Sequence, residues 1–216
     1  MDQVDVPRPD EETPEDLAQR GASGPSDRRT APRYPFFTFR SAHPRPPLDP
    51  LTAATVTVCW VIAANKPFYP LYVWWFVGSG TLASLATLIA LPFFAGTAIL
   101  ARHSAFAARL ALPLIGTADT LFETKLFGAG SGTSLFLAAC IMLAALSFRA
   151  AEKWWQRAVA VVVFMAYLAT RGGLGAPLRQ WTAEEMDILF DINAFAVACL
   201  LAFIALRYAG IKRETI

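Results

Sequence analysis

TAEEMDILFDINAFAVACLLAFIALRY, residues 182–208, opens with a helix-start signal and continues as an apolar run long enough to cross a bilayer. Thr182 and Glu185 have the spacing of a capping box, in which the hydroxyl accepts from a free backbone N–H while the carboxylate reaches back to another. Trp181 and Met186 flank the signal and could add an apolar staple. From Ile192 to Leu206 there is no charged residue. About 20 apolar residues make one helical crossing, so the pattern predicts a membrane helix over 183–208.

Upstream, further apolar segments fall at 51–64, 71–100, 106–127, 133–148 and 158–170, making about six crossings in all. The first ends at Asn65-Lys66-Pro67. The second begins after Pro70, which suits the first turn of a helix, and carries Pro92 inside it. A straight helix over 71–100 would reach about 45 Å, so it must tilt, project beyond the hydrocarbon or break near Leu91-Pro92. A kink near Pro92 is expected. Arg102 and Arg109 bracket the next connection, and Pro113 lies near the start of the third segment. Gly128-Ala129-Gly130-Ser131-Gly132 supplies a flexible turn before the fourth. Arg149, Glu152, Lys153, Trp154, Trp155 and Arg157 mark an interface after it, and Arg171-Gly172-Gly173 opens a loop lasting to Thr182.

Composition agrees with this reading. Of 216 residues, 55% are hydrophobic and 17% charged, too apolar for an ordinary soluble domain. Eight of the 17 carboxylates fall in the first 27 residues, so the rest is more apolar still. Residues 1–47 are rich in Pro, Asp, Glu, Arg and Ser and read as a disordered cytoplasmic tail, with no signal-peptide pattern. The expected organisation is that tail, a transmembrane domain over 48–210, and a short cytoplasmic tail over 211–216. The fold class expected is all-α, a polytopic membrane helical bundle.

Basic residues set the orientation. With the N-terminus cytoplasmic, the inner side receives Arg102, Arg109, Arg149, Lys153, Arg157, Arg207, Lys212 and Arg213 together with seven tail arginines. The outer side receives Lys66, Lys125, Arg171 and Arg179. This asymmetry places both termini inside, as an even number of crossings requires, in a cell inner (plasma) membrane. Trp74 and Trp75 near one face and Trp154 and Trp155 near the other fit aromatic belts. Small residues at helical spacing, Gly78, Gly80, Ser84 and Ala86 and again Ala139, Ala144 and Ala145, allow close helix packing within a subunit or in a homo-oligomer.

The chemistry-bearing residues are few. Ionisable groups at membrane depth are costly and raise a functional hypothesis; here they are Asp119 and Glu123 in the third segment, with Lys125 nearby, and Asp187 and Asp191, with Asn193, at the start of the sixth. Each acidic pair is four apart and shares a helical face. With the N-terminus inside, both approach the outer mouth, where Asp119, Glu123, Asp187, Asp191 and Asn193 are expected to line a polar ligand pocket. The bland alternative pairs them with Lys125, Arg171 and Arg179 or leaves them at headgroup level. His43 and His103 are the only histidines, which argues against bis-histidine haem or a His-rich metal centre. Cys59, Cys140 and Cys199 lie in apolar stretches without CxxC spacing and read as buried free thiols. No phosphate-binding loop, HExxH helix or GxSxG elbow occurs. No catalytic residue, metal or cofactor is expected, and a net charge of +2 without a basic stripe argues against nucleic acid.

Two runs carry a resemblance. LFGAGSGTSLFLAACIML, 126–143, and MDILFDINAFAVACLLAFIALRYAG, 186–210, are similar to parts of the six-helix membrane domain of bacterial class III adenylate and guanylate cyclases, a domain also found ahead of some sensor kinases. In that pattern a Gly-Ser-Gly turn precedes the fourth helix and an Asn sits early in the sixth, matching Gly130, Ser131, Gly132 and Asn193. Arg102 followed by Ala108-Arg109 matches its inner turn between helices two and three. The similarity covers roughly 160 residues and departs at the end, because the cyclase helix feeds a linker and catalytic domain whereas this sequence ends shortly after Tyr208. The resemblance implies a receptor-like module without an effector domain.

The function expected is a membrane sensory or regulatory module that reads an extracytoplasmic or membrane signal and acts through a cytoplasmic effector protein. Two alternatives belong to other classes: a structural or assembly subunit of a membrane complex, and a small transporter. Intramembrane carboxylates permit transport, but no inverted repeat is evident.

Overall fold

The structure is a computed structural model that describes residues 47–211; apart from Pro47 and Ile211, the tails expected at 1–47 and 211–216 lie outside the described residues. All regular elements among those described are helical. Helix α1 (Pro50–Asn65) starts on Asp49, whose carboxylate accepts from the Thr52 N–H at 3.2 Å, with Pro50 where no N–H is needed. Its 16 residues rise about 24 Å.

The second apolar segment breaks earlier than Pro92. Helix α2 (Phe68–Tyr72) continues as a π-helical turn over Val73–Val77, and the chain then reverses curvature at Gly78 and Gly80, with φ of 74° and 72°. Only glycine takes that conformation cheaply. Gly80 also lies under the Trp181 indole, into which an added Cβ would run. From there α3 (Thr81–Ser84), a 3-10 stretch over Leu85–Ala90 and α4 (Leu91–Leu100) form one continuous rod. Pro92 falls in the first turn of α4, and the 3-10 stretch before it takes up the missing hydrogen bond, so the proline needs no break.

Helix α5 (Ala105–Phe127) is capped by the Ser104 hydroxyl, which accepts from the Ala107 N–H at 3.2 Å. Two 3-10 turns over Ala129–Ser131 and Thr133–Leu135 lead into α6 (Phe136–Leu146), followed by α7 (Lys153–Gly172) and α8 (Ala183–Tyr208). Both capping-box bonds at α8 are made: Glu185 N–H to Thr182 Oγ1 at 3.2 Å, and Thr182 N–H to the Glu185 carboxylate at 2.8 Å. Trp181 stacks at 5.7 Å on Phe127, while Met186 covers Gly130.

Polar contacts fix the helix directions. The start of α5 (Arg109) bonds the start of α1 (Thr52) and Glu152 ahead of α7, while Tyr208 at the end of α8 meets Thr55 and Ser147 at 3.1 and 3.0 Å. At the other end, Lys66 after α1 meets Glu123 late in α5, Ser131 ahead of α6 meets Asn193 of α8, and Ser79 ahead of α3 meets Glu185. Successive long elements therefore alternate in direction, between an arginine end and a carboxylate end.

Between the ends, Val58, Phe94, Leu112, Leu143 and Ile204 from α1, α4, α5, α6 and α8 make the main core. Ala144, Phe148 and Val163 join α6 to α7. The outer face of α7 exposes Val161, Phe164, Met165 and Leu168, an apolar surface suited to lipid. Thr81–Leu100, Ala105–Phe127 and Ala183–Tyr208 are each long and apolar enough to cross a membrane. Thr133–Leu146 and Ala150–Gly172, bent by 118° where they meet, are long and apolar enough only when taken together, which makes three to four candidate crossings among the described residues. The described residues thus form a helical bundle compatible with a membrane.

Candidate functional site

The carboxylate end is built around Lys66. Its backbone N–H closes α1 on the Ile62 carbonyl at 3.0 Å, and its side chain turns into the bundle. The ammonium reaches Asp119 at 2.5 Å and Glu123 at 2.6 Å. Those carboxylates stand one turn apart on α5 and so share a face. Lys66 is 8% exposed and Glu123 9%, which makes this a buried ion cluster with two negative groups for one positive. Burial of an uncompensated charge is costly, so the excess demands a proton or another cation.

Unmet hydrogen-bonding capacity gathers at the same end. Asp119 spends Oδ2 on Lys66, while its Oδ1 is buried without a partner. The Tyr69 hydroxyl sits beside Asn193 without a well-formed hydrogen bond, and the Asn193 Oδ1 is likewise unpartnered. Asn193 is fully buried and donates its amide to the Ser131 carbonyl at 2.8 Å, tying α8 to the Gly130-Ser131-Gly132 turn. Gly132 has a φ of 77°, and a Cβ there would press on the Phe190 backbone oxygen at 3.3 Å, which explains a glycine at this approach.

A cavity of about 100 Å³ adjoins these groups, walled by Lys66, Tyr69, Phe94, Asp119, Glu123 and Cys140 among others. Beside it a larger groove of about 980 Å³ runs between α1, α2 and α8. Ile62, Asn65, Tyr69, Ala196 and Leu200 line both, so the two are adjacent.

Of the five residues expected to line one pocket, Asp119 and Glu123 come together, and Asn193 lies next to Tyr69 at the same end. Asp187 and Asp191 are exposed, with Asp191 on the groove wall. Helix geometry is the reason: residues two apart do not face the same way, so Asn193 inward turns Asp191 outward. The alternative ion pairs are not those made. Lys125 donates to the carbonyls of Leu174 and Ala176 at 2.8 and 2.7 Å, closing the loop after α7, and Arg179 reaches Ser79 at 3.1 Å with its guanidinium 4.6 Å over Trp181. Cys59 and Cys140 are buried free thiols, whereas Cys199 is exposed on the groove. Sequence reasoning missed Lys66 and Tyr69. The available signal was a lysine directly ending an apolar segment too short to carry it clear of the hydrocarbon.

The arginine end holds a different cluster. Arg109, 2% exposed, donates to Glu152 at 2.5 Å and to the Thr52 hydroxyl at 3.0 Å, with Asp49 at 3.5 Å. Arg149 reaches the other Asp49 oxygen at 3.6 Å, so two cations meet two anions. Burial alone would raise the Asp49 carboxyl, but the Thr52 hydroxyl and N–H and the two guanidiniums hold it below its ordinary value.

Compared with protein-family models, curated proteins and solved structures, the chain matches none.

Proposed function

We propose that the chain is an integral membrane sensory or regulatory module whose ligand enters the cavity at Lys66, Asp119 and Glu123, and whose response is read by a cytoplasmic effector protein at the arginine end. In this reading α1, α6 and α7 cross the bilayer in addition to the Thr81–Leu100 rod, α5 and α8, which are the three that are long and apolar enough alone, with both termini cytoplasmic and the carboxylate end facing outward. The alternating directions support six crossings. So do the exposed tryptophan pairs, Trp74 and Trp75 near one end and Trp154 and Trp155 near the other, placed as interfacial belts. The resemblance to the membrane domain of bacterial cyclases supports the same assignment.

One observation carries the reading: a buried cluster with an excess negative charge and unpartnered polar atoms opens on a cavity. At the arginine end, by contrast, cations and anions are equal in number. The signal has a physical route, because α1 and α5 each contribute to both polar clusters and α8 is anchored at both ends. A ligand that loosens Lys66 from α5 shifts α1 against α5, and the Arg109 contacts with Thr52 and Asp49, about 15 Å along α5, feel the shift. The ligand must favour one of the two packings to drive it.

Spin labels at Trp154 and Leu206, both exposed at the arginine end, with Cys199 replaced by serine, would test this by pulsed electron-spin distance measurement in nanodiscs. The expected result is a distance distribution that changes between wild type and Asp119→Asn. One unaltered distribution in wild type and variant alike would overturn the switch.

A further inference from the structure

Building on the ligand-gated reading above, we propose that the site takes a single-chain amphiphile with a protonated amine head, the head in the Lys66–Asp119–Glu123 cavity and the hydrocarbon chain in the groove between α1, α2 and α8. Charge selects the head. With both carboxylates ionised the cluster holds one negative charge beyond what Lys66 neutralises, so an ammonium taking the place of a proton completes it, whereas a carboxylate or phosphate head would deepen the imbalance. Donor count agrees, because an ammonium offers three N–H donors and no acceptor. On the cavity wall the vacant buried positions are Asp119 Oδ1, an acceptor, and the Tyr69 hydroxyl, whose oxygen can accept as well. Lys66 already stands between the two carboxylates, which bars a divalent metal from chelating both.

Adjacency selects the tail. The groove is lined by Phe68, Phe76, Ile192, Phe195 and Phe203 and abuts the cavity at the walls they share. Its volume of about 980 Å³ lies at the upper end of ligand-site sizes. Phe76 and Phe195 are 58% and 72% exposed, so the groove mouth is apolar and faces outward from the bundle. A small amine alone would leave that surface unused.

The full chain in phosphatidylcholine nanodiscs, titrated with radiolabelled dodecylamine at neutral pH, tests the assignment. Unlabelled dodecan-1-ol, dodecanoate and butylamine serve as competitors. Saturable dodecylamine binding is expected, with each competitor at least about tenfold weaker, a difference of about 1.4 kcal/mol. Asp119→Asn should weaken dodecylamine about tenfold or more. Cys199→Phe, on the groove but not on the cavity wall, should weaken dodecylamine and leave butylamine unchanged. Butylamine binding as tight as dodecylamine, untouched by Cys199→Phe, would overturn the amphiphile while leaving a cation pocket standing. Equal affinity for dodecan-1-ol, no loss in Asp119→Asn, or no saturable amine binding would overturn the head assignment. The spin-label distances above are read without any amine, so the switch and its ligand fail separately.

Discussion

The two ends of the bundle use the same helices and the same kinds of residue to different effect. At the arginine end, Arg109 and Arg149 face Asp49 and Glu152, charges balance, and Thr52 completes the network. At the carboxylate end, Lys66 faces both Asp119 and Glu123, the balance fails, and a cavity opens against the surplus. Unpartnered buried polar atoms follow the same division: Arg109 Nε at the first end, and Asp119 Oδ1, Asn193 Oδ1, Tyr69 Oη and Trp181 Nε1 at the second. Burial differs as well: Lys66, Asp119 and Glu123 are all nearly buried, whereas only Arg109 is so at the arginine end and Asp49, Glu152 and Arg149 keep part of their side chains in solvent. What separates the two ion clusters is whether their members satisfy each other.

The largest expected effect breaks the balanced end. Arg109→Ala removes a guanidinium that is 2% exposed and leaves Glu152 without its closest cation. Breaking a buried pair from one side costs about 3 kcal/mol or more. Unfolding in mixed micelles should register that loss, and Arg109→Lys should recover little of it, since an ammonium lacks the planar fork that reaches Thr52 and Glu152 together. A change under about 0.5 kcal/mol, the size of a surface substitution, would remove the contrast between the ends.

How far this contrast was legible in the sequence depends on how local each feature is. The start of α8 at Ala183 was written in Thr182 and Glu185, three residues apart, and the structure makes both bonds. Asp119 and Glu123 could be paired from helical spacing alone. Lys66 could not be joined to them, because no short-range rule links residues 57 positions apart. Arg109 counted toward an inner-facing charge bias, yet it points into the bundle and is buried. The break falls at Gly78–Gly80 and not near Pro92, because a proline in a helix's first turn costs little. Grouping Asp191 with Asn193 ignored that residues two apart diverge on a helix.

A smaller effect sharpens the comparison through pH. Asp49 is held below its ordinary carboxylate value, so its contribution is present above the unfolded value of about 3.9 and is lost as pH falls through the lowered folded one. Unfolding measured down that acid range should show the arginine end weakening. Asp49→Asn should flatten this part of the profile while reducing neutral-pH stability by less than Arg109→Ala does. An unchanged acid limb in the variant would mean that Asp49 takes no part in the balance.

The smallest expected effect is the most discriminating. Asp119→Asn removes one of two carboxylates from a cluster that holds one lysine, leaving Lys66 paired with Glu123 at 2.6 Å. At the balanced end, losing one member orphans another. Here it cancels the surplus, and the amide still fills the same volume and can accept from Lys66 through its oxygen. Stability in micelles at neutral pH should therefore stay within about 0.5 kcal/mol of wild type, or rise. A loss comparable to that of Arg109→Ala would show that Asp119 is needed as an anion to hold the helices together. The surplus would then be structural, and the difference between the two ends would no longer separate packing from binding.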